Sequence, residues 1–246
     1  MLVYQIKIEY LGTNFVGWQR QKNGLSVQEV LETVLSDFFK RKIILIGSGR
    51  TDAGVHATEQ SAHFKINKKV LNKNHTINSL NFFLKKYPIS ILDIKKRNKT
   101  FHARHSAKER TYKYFIINRP ASLAIEMNKA WHIKKKINIA SMKKGANLLL
   151  GTHDFSTFRA SSCNAKSPIK TLKKINIKKN KNKIVLTFVS KSFLQQQVRS
   201  MVGSLKRLGE GNWDFEHFRK VFYSKKRSMC ASPAPSHGLY LTKINY

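Results

Sequence analysis

The first ten residues alternate. Leu2, Tyr4, Ile6, Ile8 and Tyr10 stand against Val3, Gln5, Lys7 and Glu9, the period-two signature of a half-buried strand. Beyond a loop at 12–24, Val27, Val30, Leu31, Val34, Leu35 and Phe38 recur at helical spacing, and Ser26 with Glu29 makes a capping box in front of them. Strands over 42–46 and 59–66, a helix within 70–85 stopped by Pro88, and a strand over 89–96 complete the order β-α-β-β-α-β, a ferredoxin-like unit. From Phe101 the order recurs, with a strand over 110–117, a helix over 139–150 behind Asn138, strands over 169–177 and 184–189, a helix over 193–208 and a last strand over 239–246. A short helix at 212–224, carrying Trp213, Phe215, Phe218 and Phe222, reads as packing. The expected fold is α+β. Two such halves, 1–103 and 104–246, are predicted to form one central, mainly antiparallel sheet with helices on one side and a cleft across it. The repeat is architectural, since the halves share no clear residue-level identity.

At 246 residues and 41% hydrophobic content, the chain can bury a sizeable core. Its 47 Lys and Arg against 13 Asp and Glu leave a formal charge of +34, which points to a polyanionic partner such as nucleic acid. Lys, Asn and Ile are abundant everywhere, however, including the run 178–183, and a genome rich in A and T would produce the same drift. The charge therefore permits RNA binding without establishing it. Cys163 and Cys230 make no disulfide framework and fit no metal-ligand spacing. None of the nine histidines shows ligand spacing, and His153-Asp154 reads as a helix-end turn, so no metal is expected. The N-terminus lacks the apolar core of a signal peptide, and no apolar stretch reaches membrane-span length. A cytoplasmic protein with reduced thiols and no membrane partner is expected.

Candidate chemistry concentrates in Gly47-Ser48-Gly49-Arg50-Thr51-Asp52-Ala53-Gly54-Val55-His56-Ala57, which follows the apolar run 43–46. Three glycines within eight residues suit a loop that must admit close backbone approach. Arg50, two residues from Asp52, would favour the ionised carboxylate, a form able to act as nucleophile or base. A surface turn with a local ion pair fits the same residues. A phosphate cradle fits less well, because the Gly-Lys-Ser/Thr ending is missing. The 12–24 loop mixes Phe15 and Trp18 with Arg20, Gln21 and Lys22, either to grip RNA by stacking and phosphate contact or, for the two rings, to lid the core. Tyr112 and Tyr114 share one strand face, and Arg199 flanks the apolar stripe Leu194, Val198, Met201, Val202, Leu205 and Leu208.

Gly49 to Ala57 resembles the active-site signature of the tRNA pseudouridine synthase A family. Further similarities follow in family order: Tyr10-Leu11-Gly12 to Gly17-Trp18-Gln19-Arg20-Gln21, Phe101-His102-Ala103-Arg104, Tyr112-Lys113-Tyr114, Gly151 to Ser156, Val198 to Gly203, Pro233-Ala234-Pro235 and Gly238 to Leu241. The resemblance implies a pseudouridine synthase fold acting without metal or organic cofactor, as a homodimer, on tRNA. It implies isomerisation of uridine in the anticodon stem-loop, at tRNA positions 38, 39 and 40, with Asp52 as the catalytic nucleophile. Attack on the base, attack on the anomeric carbon and assistance of glycal formation all stay open. Arg50 would hold the flipped nucleotide, Arg199 would pair with the aspartate, and Tyr112 would lie against the uracil. Trp18, Arg20, His56 and Leu239 complete the expected RNA-contacting set, although His56 by itself reads as structural. Gln195-Gln196-Gln197, Ser200 and Lys170 depart from the family pattern and bear on substrate contacts, since Lys cannot reproduce a bidentate guanidinium. A non-catalytic RNA-binding protein and a modifying enzyme aimed at other uridines are the alternatives.

Overall fold

The structure is a computed structural model that describes residues 1–67 and 69–246. The opening alternation forms β1 (Leu2–Tyr10), and its burial alternates as expected from Ile6 to Tyr10 but not before, for Val3 and Gln5 are buried along with Tyr4 and Ile6. The reason lies elsewhere in the chain. Phe101, Ala103 and Tyr246 cluster over Val3, and the Arg97 guanidinium sits 4.9 Å from the Phe101 ring centroid and 5.7 Å from that of Tyr246. Helix α1 (Val27–Phe39) starts at Ser26, whose Oγ accepts the Glu29 N–H at 3.2 Å, and buries Val27, Val30, Leu31, Val34, Leu35 and Phe39. The strand expected over 42–46 shrinks to β2 (Ile46–Gly47). Its approach is tied to side chains of α1 and not to a neighbouring strand: Ile43 N–H donates to Ser36 Oγ (2.9 Å) and Leu45 N–H to Glu32 Oε1 (2.9 Å).

Strand β3 (His56–Ile66) runs antiparallel to β1, from Leu2 opposite Ile66 to Tyr10 opposite Ala57. Helix α2 (Lys73–Leu84) is capped by Asn72 and buries only Thr76, Leu80 and Leu84. Asn81 bonds both the carbonyl and the N–H of Ile91, at 3.0 and 2.7 Å, and so pins α2 to β4 (Ile89–Arg97), which pairs with the other edge of β1. These elements realise the predicted β-α-β-β-α-β order. The compact unit they belong to comprises residues 1–108 together with 241–246.

Residues 109–240 form a second compact unit. Its elements are β5 (Glu109–Asn118), β6 (Trp131–Ile133), α3 (Ile139–Leu148), β7 (Gly151–Asp154), β8 (Ile169–Asn180), β9 (Lys183–Ser190), α4 (Gln197–Gly209), α5 (Phe215–Tyr223) and the start of β10 (Leu239–Asn245). Strands β5, β9, β8 and β7 lie side by side and antiparallel, with Tyr112 opposite Phe188 and Phe188 opposite Ile175. One sheet face is buried through Tyr112, Tyr114 and Ile116 on β5 and Ile184, Leu186 and Phe188 on β9. Three features differ from expectation. His153-Asp154 is not a helix-end turn but part of β7, paired with Lys170 and Ile169. The parallel strand β6, beside Ile116 to Asn118, was not expected at all. Helix α4 begins at Gln197, not 193, because Gln196 adopts φ +59° and buried Gln197 accepts the Leu194 N–H at 2.8 Å. Residues 215–223 do pack, with Phe222 stacked 5.9 Å from Phe158.

Candidate active site

Asp52 opens a tight turn. The Val55 N–H donates to the Asp52 carbonyl at 3.2 Å, and Gly54, third in the turn, takes φ +75°, which favours glycine there. Asp52 is half-buried, Arg50 exposed and Thr51 enclosed. The turn is held from behind by the 12–24 loop and by side chains of β1 and β3. Trp18 N–H donates to the Thr51 carbonyl (3.1 Å), Tyr10 Oη and Thr51 Oγ1 lie 2.8 Å apart, and Gln60 Nε2 donates to the Gly49 carbonyl (2.9 Å).

Two glycines make this approach possible. A Cβ on Gly12 would stand 2.0 Å from the Val55 carbonyl oxygen, and one on Gly17, at φ +117°, would stand 2.7 Å from that of Thr51. The acid-bearing turn is thus backed by main chain at van der Waals distance and cannot shift without moving its neighbour.

The other expected residues of the first unit take distinct places. His56 is 1% exposed, and its Nδ1 accepts the Gly12 N–H at 2.8 Å, which puts the ring proton of the neutral form on Nε2. The Trp18 indole is buried beside Tyr10 and against Gly47, where a Cβ would meet its Nε1 at 2.5 Å. Arg20 lies at the surface, 3.4 Å from Glu32. Glu32 in turn accepts from Gln28 Nε2 (3.0 Å) as well as from the Leu45 N–H, so one carboxylate ties helix α1 to the chain leading into the turn.

Tyr112, Arg199 and Leu239 belong to the second unit. Tyr112 is 8% exposed and meets Phe193 edge to face at 5.2 Å. Arg199, on α4, donates through Nε to the Ala234 carbonyl (2.7 Å) while its own carbonyl accepts the Ala234 N–H (3.0 Å). The Pro233-Ala234-Pro235 segment therefore fixes this arginine. Gly203 allows it, because a Cβ there would strike the Ser232 carbonyl oxygen at 2.2 Å. Tyr114 Oη donates to the Pro235 carbonyl (2.8 Å), and burial pushes its phenol well above the ordinary range despite the nearby Arg199 charge. Leu239 is buried at the start of β10. Lys170 spends its ammonium on the carbonyls of Ser167 (2.8 Å) and Ile169 (2.9 Å), and burial lowers its pKa.

Sequence reasoning overlooked Tyr10, Thr51 and Gly17 as supports of the turn. The signal was present, for Tyr10 and Gly17 both fall within the second stretch of family resemblance, but their role depends on contacts across about 35–40 residues that periodicity does not report. It also gave no role to His63. That residue is buried in β3, its Nδ1 accepts the Ala103 N–H (3.1 Å), and burial, then the neighbouring charges of His102 and Lys65, lower its pKa to about 4. Among the described residues, no group of three His, Cys, Asp or Glu is arranged to hold a metal ion, and no helix is long and apolar enough to cross a membrane.

Comparison with known proteins adds an independent line. The sequence profile of the family described as tRNA pseudouridine synthase matches residues 6–106 and 146–246. The chain is 58% identical over 246 residues to a protein of Pelagibacter ubique (strain HTCC1062) named tRNA pseudouridine synthase A, with 100% of both chains covered. It is 42% identical over 246 residues to a protein of the same name from Anaplasma phagocytophilum (strain HZ), with 99% of each covered.

Proposed function

Given that the chain belongs to the tRNA pseudouridine synthase family and is an isomerase of uridine in tRNA, we propose that it acts on the anticodon stem-loop, at positions 38, 39 and 40, with Asp52 as the nucleophile. The reaction breaks the N1 glycosidic bond, turns the uracil and rejoins it through C5. The C5 hydrogen leaves and N1 gains a proton, so oxidation state is conserved and no redox cofactor is called for.

The observation that supports Asp52 is the turn that carries it. Its carboxylate stands half-buried on a glycine-shaped turn clamped at Thr51 by Trp18 and Tyr10, the kind of rigid mounting that a nucleophile needs. The target uridine must leave its stack to reach such a site, which costs a few kcal/mol. In this reading Arg50 holds the flipped nucleotide, and its exposure two residues before the acid supports that role. Tyr112 and Arg199 enter as substrate-binding residues, and Trp18, Arg20, His56 and Leu239 as RNA-binding ones, on the strength of the family signature. A cytoplasmic homodimer, with tRNA crossing both subunits, belongs to the same reading.

The test is Asp52→Asn. Isomerisation of an unmodified tRNA transcript should be lost while affinity for that transcript persists, and mapping pseudouridine in the product should place it at the three positions. Full isomerisation by the variant would remove Asp52 from the mechanism. Isomerisation by neither protein would leave an RNA-binding role only.

A further inference from the structure

Helix α2 runs out in Phe82-Phe83-Leu84-Lys85-Lys86-Tyr87, and of these six residues only Leu84 is buried. Phe82 is 71% exposed and Phe83 50%. Adjacent phenylalanines at such exposure are not what packing asks for. Nor are they borne on a loose loop. The narrow buried stripe Thr76, Leu80, Leu84 and the two bonds from Asn81 to Ile91 set the rotation of α2, and that rotation holds both rings outward. The rings meet edge to face with centroids 5.9 Å apart, at 78°. Past the helix, Lys85 N–H donates to the Phe82 carbonyl (3.3 Å) and Tyr87 N–H to that of Leu84 (2.8 Å), while Lys86 Nζ sits 5.2 Å from the Tyr87 ring centroid.

The segment is also joined to the candidate site within the same unit. The Pro88 carbonyl accepts the Leu11 N–H at 3.0 Å, and Leu11 leads directly into Gly12, whose N–H is held by His56, and on to Trp18, whose N–H is held by Thr51. One hydrogen-bonded framework therefore carries both the exposed rings and the Asp52 turn.

We propose that Phe82, Phe83 and Tyr87 form a stacking platform for unpaired bases of the tRNA substrate, with Lys85 and Lys86 on the flanking phosphates. The inference rests on the isomerase reading above and adds a second RNA contact outside its residues. Aromatic faces alternating with cations suit single-stranded RNA, because every base offers a π-face and every linkage a negative charge. The segment contains no acidic residue, in a chain of net charge +34. A second copy of the same patch would set lysines against lysines, a like-charge contact that polyanion binding avoids.

The experiment measures the affinity of the Asp52→Asn chain, which binds without turnover, for an unmodified tRNA transcript across a salt series. Phe82→Ala with Phe83→Ala should weaken binding about tenfold or more per stacked ring. Phe82→Tyr with Phe83→Tyr should retain it, while the paired leucine variants, which keep apolar bulk without a π-face, should not. Lys85→Gln with Lys86→Gln should reduce the slope of log affinity against log salt by about 0.7 per lost phosphate contact. In the active chain the alanine pair should raise KM for tRNA. Unchanged affinity in the alanine pair, recovery by leucine, or a change in the protein's sedimentation mass without RNA would each overturn the proposal. If wild-type protein isomerises uridine and Asp52→Asn abolishes it while the platform variants bind like their parent, this inference alone fails. If wild-type protein isomerises nothing, the functional reading fails instead.

Discussion

Replacing Gly17 by alanine tests whether the Asp52 turn owes its placement to the loop behind it. The substitution brings two separable costs. The φ of +117° is strained for any residue with a Cβ, by about 1–2 kcal/mol. The added carbon also stands 2.7 Å from the Thr51 carbonyl oxygen and 3.3 Å from Asp52 C and Ala53 N, where ordinary contact begins at 3.4 Å, so the main chain at Thr51 must retreat by about 0.7 Å (3.4 − 2.7). Because that chain continues straight into Asp52, the acid moves with it. Misplacement on the scale of 1 Å lowers catalysis by up to about 100-fold, so kcat should fall by about 10- to 100-fold. The stability loss alone should lower Tm by about 2–4 °C per kcal/mol. Gly211→Ala is the matched control, since Gly211 has φ +75° and an added Cβ there would meet nothing within 4 Å. It should share the strain and keep full activity. The assay follows release of tritium from C5 of labelled uridine in a tRNA transcript, beside thermal melting. Equal kcat for Gly17→Ala and wild type, in a folded variant, would refute the clamp.

Three further outcomes follow from the same geometry. Glu32→Ala leaves the N–H of buried Leu45 without its acceptor and should cost about 1–3 kcal/mol in urea unfolding, whereas an unchanged midpoint would show that the carboxylate does not tie α1 to the turn. Tyr114→Phe deprives the Pro235 carbonyl of its donor and should destabilise by about 1–2 kcal/mol; because burial keeps the native phenol protonated while the unfolded one ionises near 10.0, wild-type stability should also fall as pH rises above 10, and less so in the variant. His63, lowered from 6.5 to about 4, stays neutral in the folded chain while the unfolded chain takes up a proton below 6.5. Stability should therefore decline as pH falls from 6.5 towards 4, by up to about 3 kcal/mol, and His63→Gln should flatten that decline in urea titrations.

Period-two and helical patterning located the long elements because each has a face whose burial is set by its own sequence, as in α1 and β9. The failures share a cause. β2 lost most of its expected length because Ser36 and Glu32 captured the amides that a strand partner would have taken. β7 was mistaken for a turn because four residues are too few to show a period, and only pairing with 169–172 makes them a strand. The second covered face of β1 came from Phe101 and Tyr246, far along the chain. At the candidate site, the acid and its glycines were legible as a local cluster. Tyr10, Thr51 and Gly17 were not, since a backbone approach leaves no mark on hydrophobicity. The run Phe82-Phe83 beside Lys85-Lys86 was visible in the sequence, but its exposure was not.

The first unit is built from residues 1–108 and residues 241–246, with the Lys108 N–H donating to the Asn245 carbonyl (2.8 Å) and Tyr246 Oη donating to Ser61 Oγ (2.7 Å). During synthesis the ribosome therefore emits the Asp52 turn early but withholds the pieces that finish its scaffold until residue 246 has emerged. Messages cut short anywhere in the intervening stretch yield a product that carries the acid yet lacks its outer brace. The last strand thus completes a unit whose acid-bearing turn lies near the start of the chain, so the two ends of the sequence must meet before that scaffold is whole.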